Sequence, residues 1–101
     1  MIKVKVLNDK ITMSGHAMYD DYGKDIVCSS ASSIVITTVN AILSFGEYIN
    51  YEEKKDLFII NILEHNDVSD KLIKNMINML EELQDDYPKN INIRKEYLWK
   101  C

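Results

Sequence analysis

Along the first fifteen residues, apolar and polar side chains alternate. Ile2, Val4 and Val6 stand against Lys3 and Lys5, and the alternation resumes at Lys10-Ile11-Thr12-Met13-Ser14 after Asn8-Asp9. A period of two places successive side chains on opposite faces of a strand. Asn8-Asp9 is turn chemistry, so residues 2–14 predict a hairpin whose second strand ends at Gly15-His16. Residues 17–24 follow neither the strand nor the helix period and predict a polar loop.

From Asp25 the period changes. Val27, Ala31, Ile34, Val35, Val39, Ile42 and Phe45 fall near one helical face, and Asp25 is a good N-cap for the first turn. Gly46 stands where a left-handed C-terminal cap is expected. The β-branched run at residues 34–39 favours sheet locally. The small residues before it and the apolar face continuing to Phe45 favour a helix of about twenty residues, ~30 Å long.

Residues 47–51 fit a short strand or an irregular edge. Residues 57–63 are almost continuously apolar and predict a central strand. A loop over residues 64–67 leads to an amphipathic helix over 68–86, with Leu72, Ile73, Met76, Ile77, Leu80 and Leu83 on its inner stripe. Met76 and Met79 read as core filling, and Tyr87-Pro88 ends the helix. Ile91 and Ile93 offer a last strand that can extend through Lys95-Glu96-Tyr97. The expected fold is α+β in the order β-β-α-β-β-α-β, a mostly antiparallel or mixed sheet covered by two helices. No repeat or linker divides it, so residues 1–101 are expected to form a single domain.

Composition changes this picture little. The chain has 101 residues, 47% of them hydrophobic, with one proline and three glycines, which suits one small core. The net charge of −4 and the absence of a run of basic residues argue against direct nucleic-acid binding. A net charge of this sign first of all serves solubility, and it can also attract a basic polypeptide. Two cysteines make no disulfide framework and suit the free thiols of a reducing cytoplasm. The alternating N-terminus does not read as a signal peptide, and the apolar stretches read as too short and interrupted to span a bilayer. The expectation is a soluble, cytoplasmic protein without a membrane partner.

The candidate chemistry lies at Gly15-His16-Ala17 and, twelve residues after the histidine, at Cys28. With Asp25 as N-cap, Cys28 falls in the first helical turn, where unpaired amides and the helix dipole favour a thiolate. An imidazole nearby completes the recipe for an activated sulfur nucleophile. Asp25 can cap the helix, orient His16, or do both. Ser29-Ser30-Ala31-Ser32 keeps the first turns small, which suits either close packing on a sheet or a carbonyl approaching backbone amides that bind an oxyanion. No Cys-x-x-Cys occurs, and His65 and Cys101 lie at no ligand spacing to the first pair, so neither a metal nor another cofactor is expected. His65 reads as a surface loop histidine and Cys101 as a free terminal thiol. Trp99 is a candidate for packing on the sheet or on a dimer partner, and the loop tyrosines Tyr19 and Tyr22 either line a peptide groove or are simply exposed.

Gly15-His16-Ala17, the loop containing Tyr22-Gly23, and Asp25-Ile26-Val27-Cys28 with Ser32 together resemble the bacterial ribosomal-processing cysteine protease family (Prp). The family pattern is Gly-His-Ala, a loop, then Gly-x-Asp-Ile-Val-Cys-Ala-x-x-Ser. Residues 23–28 match its second half closely, and Ser29 departs from the usual alanine. The resemblance implies Cys28 as nucleophile, His16 as general base, Asp25 and Ser32 as supporting residues, and Gly15, with Gly23, as hinges of a loop that closes over substrate. It further implies a homodimer whose substrate is the N-terminal extension of a large-subunit ribosomal protein. A competing reading is a non-enzymatic ribosome-assembly module that binds a basic peptide. A third is a redox-sensing thiol, which lacks a resolving partner unless Cys101 approaches Cys28.

Overall fold

The structure is a computed structural model that describes residues 1–21 and 23–96. The expectations for Tyr22, Tyr97, Trp99 and Cys101 lie outside the described residues. The alternating N-terminal segment forms β1 (Ile2–Val6) and β2 (Lys10–Ser14), paired antiparallel with Val4 opposite Met13 and Val6 opposite Ile11. Ile2, Val4, Val6 and Ile11 are buried while Lys3, Lys5 and Lys10 are exposed, so one face of the hairpin meets the core and the other meets water.

The remaining strands are β3 (Ile49–Lys54), β4 (Leu57–Ile62) and β5 (Ile91–Lys95), and the sheet order is β3-β4-β2-β1-β5. Three neighbouring pairs are antiparallel, and β1 and β5 run parallel, which makes the sheet mixed. With α1 (Ile26–Leu43) and α2 (Asp67–Asp86), the element order is the expected β-β-α-β-β-α-β. β4 is an interior strand, but β2 holds the centre. Only Ile60 of β4 is fully buried: Phe58 and Ile62 on the same face are partly covered by the core, and the other face pairs Leu57 with Ser14 and Ile59 with Thr12. β3 begins two residues later than the expected segment and ends three residues beyond it.

α1 buries Val27, Ala31, Val35, Val39 and Ile42, and α2 buries Ile73, Met76, Ile77 and Leu80. Each Val, Ile, Leu or Met side chain among them contributes about 1.5–3 kcal/mol when fully removed from water. That burial, with the cap at Asp25, lets a β-branched run stay helical despite its local preference. Three expectations at the helices fail. Phe45 lies beyond the end of α1 and is 59% exposed. Gly46 is not a left-handed cap: the helix ends on Ser44 at φ −70°, whose N–H bonds Asn40 O while its hydroxyl donates to Ala41 O. These contacts satisfy carbonyls that a left-handed turn would otherwise serve. Met76 fills the core, whereas Met79 points outward beside Asn75.

α1 also corrects the expectation about membrane-spanning length. It has 18 residues with a mean hydropathy of 1.8, long and apolar enough to cross a bilayer by length and composition. In the fold its apolar stripe faces the sheet and α2 instead.

Candidate active site

Asp25 starts the site. Its backbone is extended at φ −80° and ψ 101°, and its Oδ1 accepts the N–H groups of Val27 and Cys28, both at 3.0 Å. Its Oδ2 accepts the Tyr19 N–H at 2.9 Å and the Asp20 N–H at 3.3 Å. Burial pushes the Asp25 carboxyl up, but the N–H donors of Cys28, Tyr19, Asp20 and Val27 outweigh it and hold the pKa below the ordinary 3.8. One carboxylate therefore caps the helix and ties down the loop. It shares no hydrogen bond with His16, and all of its bonds go to the helix start and the loop.

Cys28 is the third residue of α1 and is partly buried. The Ala17 N–H points at its sulfur across 3.2 Å. Ala17 is fully buried, and its carbonyl accepts the side-chain N–H of Asn90 at 3.0 Å. This places Asn90, in the approach to β5, behind the residue that touches the sulfur. Tyr19 packs edge-on against Tyr87 with ring centroids 5.2 Å apart, facing α2 rather than lining the cleft. Among the described residues, the loop after β2 is thus held at Ala17, Tyr19 and Asp20.

The sequence leaves open whether the small first turn packs closely or offers its amides to an oxyanion, and in the structure three of those amides already have acceptors. The Val27 and Cys28 N–H groups are bound by Asp25 Oδ1, and the Ser29 N–H bonds Asp25 O at 3.1 Å. The Ala17 N–H is instead the backbone donor aimed at Cys28 Sγ. The Ser29 hydroxyl turns back to Ile26 O, so the extra oxygen beside Cys28 is spent within its own helix.

Gly15 takes φ +82°, and a Cβ there would lie 2.6 Å from Met1 O. Both the backbone region and the close approach require glycine. Gly23 takes φ +85° with open space around it. Between them His16 projects from the end of β2, half exposed, with Nε2 2.6 Å from Asp56 Oδ1. His16 and Cys28 share no hydrogen bond. Both line one cleft of about 930 Å³, together with Gly15, Gly23, Asp25 and Ser32. The structure therefore collects all six residues singled out in the sequence.

It adds Asp56 and Asn90, which the sequence did not reveal. Lys55-Asp56 carries a turn signal, but nothing local says that the β3–β4 turn reaches the end of β2. Asn90 carries no signal of its own.

The sequence pattern of the cysteine protease Prp family matches residues 1–92. The chain belongs to this family. It is 32% identical over 87 residues to the ribosomal processing cysteine protease Prp of Staphylococcus aureus strain Mu50, covering 82% of each chain. The fold superimposes on a crystal structure of S. aureus Prp in complex with a covalently linked product peptide. The TM-score is 0.86 at 29% identity, covering 95% of this chain and all of that one. A second S. aureus Prp structure, in complex with a substrate peptide, gives a TM-score of 0.83 at 25% identity, covering 95% of this chain and all of that one. In this Prp-family chain, Gly15-His16-Ala17 is the end of β2 and its exit. The Asp25–Cys28 stretch is the helix cap and first turn. The family motif is thus two chain segments brought face to face by the β2–α1 connection.

Proposed function

We propose that the protein is an endopeptidase in which Cys28 is the nucleophile and His16 the general base, and that it removes the N-terminal extension of a large-subunit ribosomal protein. The observation that carries this reading is the placement of Cys28 Sγ in the cleft that also contains His16, with the Ala17 N–H directed at the sulfur from 3.2 Å. An amide hydrogen on sulfur strengthens as charge develops there. His16 takes the thiol proton and Sγ attacks the scissile carbonyl. The carbonyl oxygen becomes an oxyanion, for which the Ala17 N–H is the adjacent donor. Collapse breaks the C–N bond, and the protonated His16 gives its proton to the departing amine. Water, deprotonated by His16, then attacks the thioester, releasing the carboxylic acid product and returning the proton to sulfur. Catalytic contacts of this kind commonly tighten only when substrate is bound, which suits a histidine and a cysteine that share a cleft without a mutual bond.

The cleft lining supports a basic peptide. Asp20, Asp25, Glu53 and Asp56 face it against Lys24 and Lys54, and a surplus of carboxylates attracts cationic chains. Gly15 and Gly23 flank the loop that would open and close over the peptide. Action in the cytoplasm as a homodimer belongs to the same proposal, supported by family membership.

The deciding experiment incubates the protein with the extended form of the large-subunit ribosomal protein and follows cleavage by mass spectrometry. Cleavage by the wild type, abolished in Cys28→Ala and in His16→Ala at unchanged melting temperature, is the expected result. Cleavage by Cys28→Ala at the wild-type rate would overturn the reading.

A further inference from the structure

The His16 ring is not free. Its Nε2 lies 2.6 Å from Asp56 Oδ1, forty positions along the chain, a short contact of the charge-assisted kind. Asp56 occupies the two-residue turn between β3 and β4 with φ +58°. Aspartate and asparagine tolerate that left-handed region better than other side chains. The same residue accepts the Gly15 N–H at its backbone carbonyl, 3.1 Å away. The turn therefore grips the neighbour of His16 through the main chain and the imidazole through the side chain. An ionised carboxylate offers no proton of its own, so Nε2 is the donor, and in the neutral ring Nδ1 then holds the lone pair. The other carboxylate that could orient the ring, Asp25, is bound by four backbone N–H groups and does not reach it.

From this geometry we propose that Asp56 is the positioning residue of the site. It fixes His16 as the Nε2–H tautomer, so that Nδ1 is the nitrogen that takes the Cys28 proton, and it stabilises the imidazolium that results. The inference rests on the proposed peptidase reading and adds a third member to its Cys–His pair. The division of labour follows the logic of a nucleophile, a base and an orienting acid. As a surface pair, half exposed on both sides, the contact contributes little to folding. Its consequence lies in which nitrogen is basic.

The test uses Asp56→Asn, which keeps a residue suited to φ +58°, alongside Asp56→Glu. Cleavage of the extended ribosomal protein is followed together with the ¹⁵N signals of His16 in each full-length protein. For Asp56→Asn we expect kcat to fall tenfold or more with KM within twofold, the melting temperature unchanged, and the His16 proton moved away from Nε2. Asp56→Glu should restore part of kcat. A kcat within twofold of wild type in Asp56→Asn, or a His16 Nε2–H signal that survives that substitution, would overturn the inference. If the wild type cleaves no precursor, the peptidase reading fails on that result alone. The ¹⁵N signals still decide whether Asp56 sets the tautomer.

Discussion

Asp25 holds Tyr19 and the start of α1 with one carboxylate. Oδ2 takes the Tyr19 N–H at 2.9 Å, and Oδ1 takes the Val27 and Cys28 N–H groups at 3.0 Å. The loop that follows His16 is therefore fastened to the turn that presents Cys28. Helix stability and loop position share a single side chain.

Two substitutions separate those tasks. Asp25→Ala removes the cap and should cost about 1 kcal/mol, within a range of roughly 0.5–2, together with most activity. Asp25→Asn retains an oxygen for the helix amides but puts an NH₂ where the Tyr19 and Asp20 amides need an acceptor. It should keep the melting temperature closer to wild type while faster proteolytic nicking after His16 reports a loosened loop. Because folding lowers the Asp25 pKa below 3.8, its contribution is complete above that pH and disappears as pH falls through the lowered value. Acid titration of the wild type should show a loss of stability there that Asp25→Ala lacks.

Gly15→Ala should damage both fold and activity. An added Cβ meets Met1 O at 2.6 Å, and the φ of +82° disfavours any side chain. The left-handed conformation alone costs about 1–2 kcal/mol, and the clash adds to it. Thermal denaturation should show the loss. A Gly15→Ala protein as stable as wild type would mean that Met1 and the end of β2 separate freely.

Asn90→Ala leaves the Ala17 carbonyl without its 3.0 Å donor. A buried acceptor stripped of its partner costs about 1–3 kcal/mol. The Ala17 N–H should also lose its aim at Cys28 Sγ. The expected outcome is a lower rate of Cys28 alkylation and of peptide cleavage, larger than the effect on substrate affinity, measured as kcat against KM.

His65 provides a pH-dependent clip far from the cleft. Its Nδ1 lies 2.9 Å from Asp70 Oδ1 and its Nε2 3.2 Å from Asp9 Oδ1, joining the β1–β2 turn to the first turn of α2. Hydrogen bonds to Asp70 and then Asp9 raise its pKa above 6.5. A group whose pKa rises on folding adds stability that is complete below 6.5 and fades as pH climbs through the raised value. His65→Gln should therefore lower the melting temperature more near about pH 6 than near about pH 9. His65 and Asp70 are half exposed and Asp9 more so, so the effect is no more than about 1 kcal/mol. Equal losses at both pH values would show that the ring acts by packing alone.

The sequence by itself determined the element order, because each signal was local. Ile2, Val4 and Val6 alternate, Asp25 caps, and α2 repeats its apolar residues at helical spacing. It also determined that His16, Asp25 and Cys28 share the cleft, since they lie within thirteen positions and only a short loop separates them. Endings were less legible: Ser44 and Phe45 close α1 through bonds to Asn40 and Ile42, leaving Gly46 no capping task. Only the tertiary structure decided what holds the chemistry in place. Sheet order sets β4 beside β2, which carries Asp56 to His16, and β5 beside β1, which carries Asn90 to Ala17. These partners are forty and seventy-three positions away. Strand pairing, a property of the whole sheet, brings them together, and no periodicity along the chain records it.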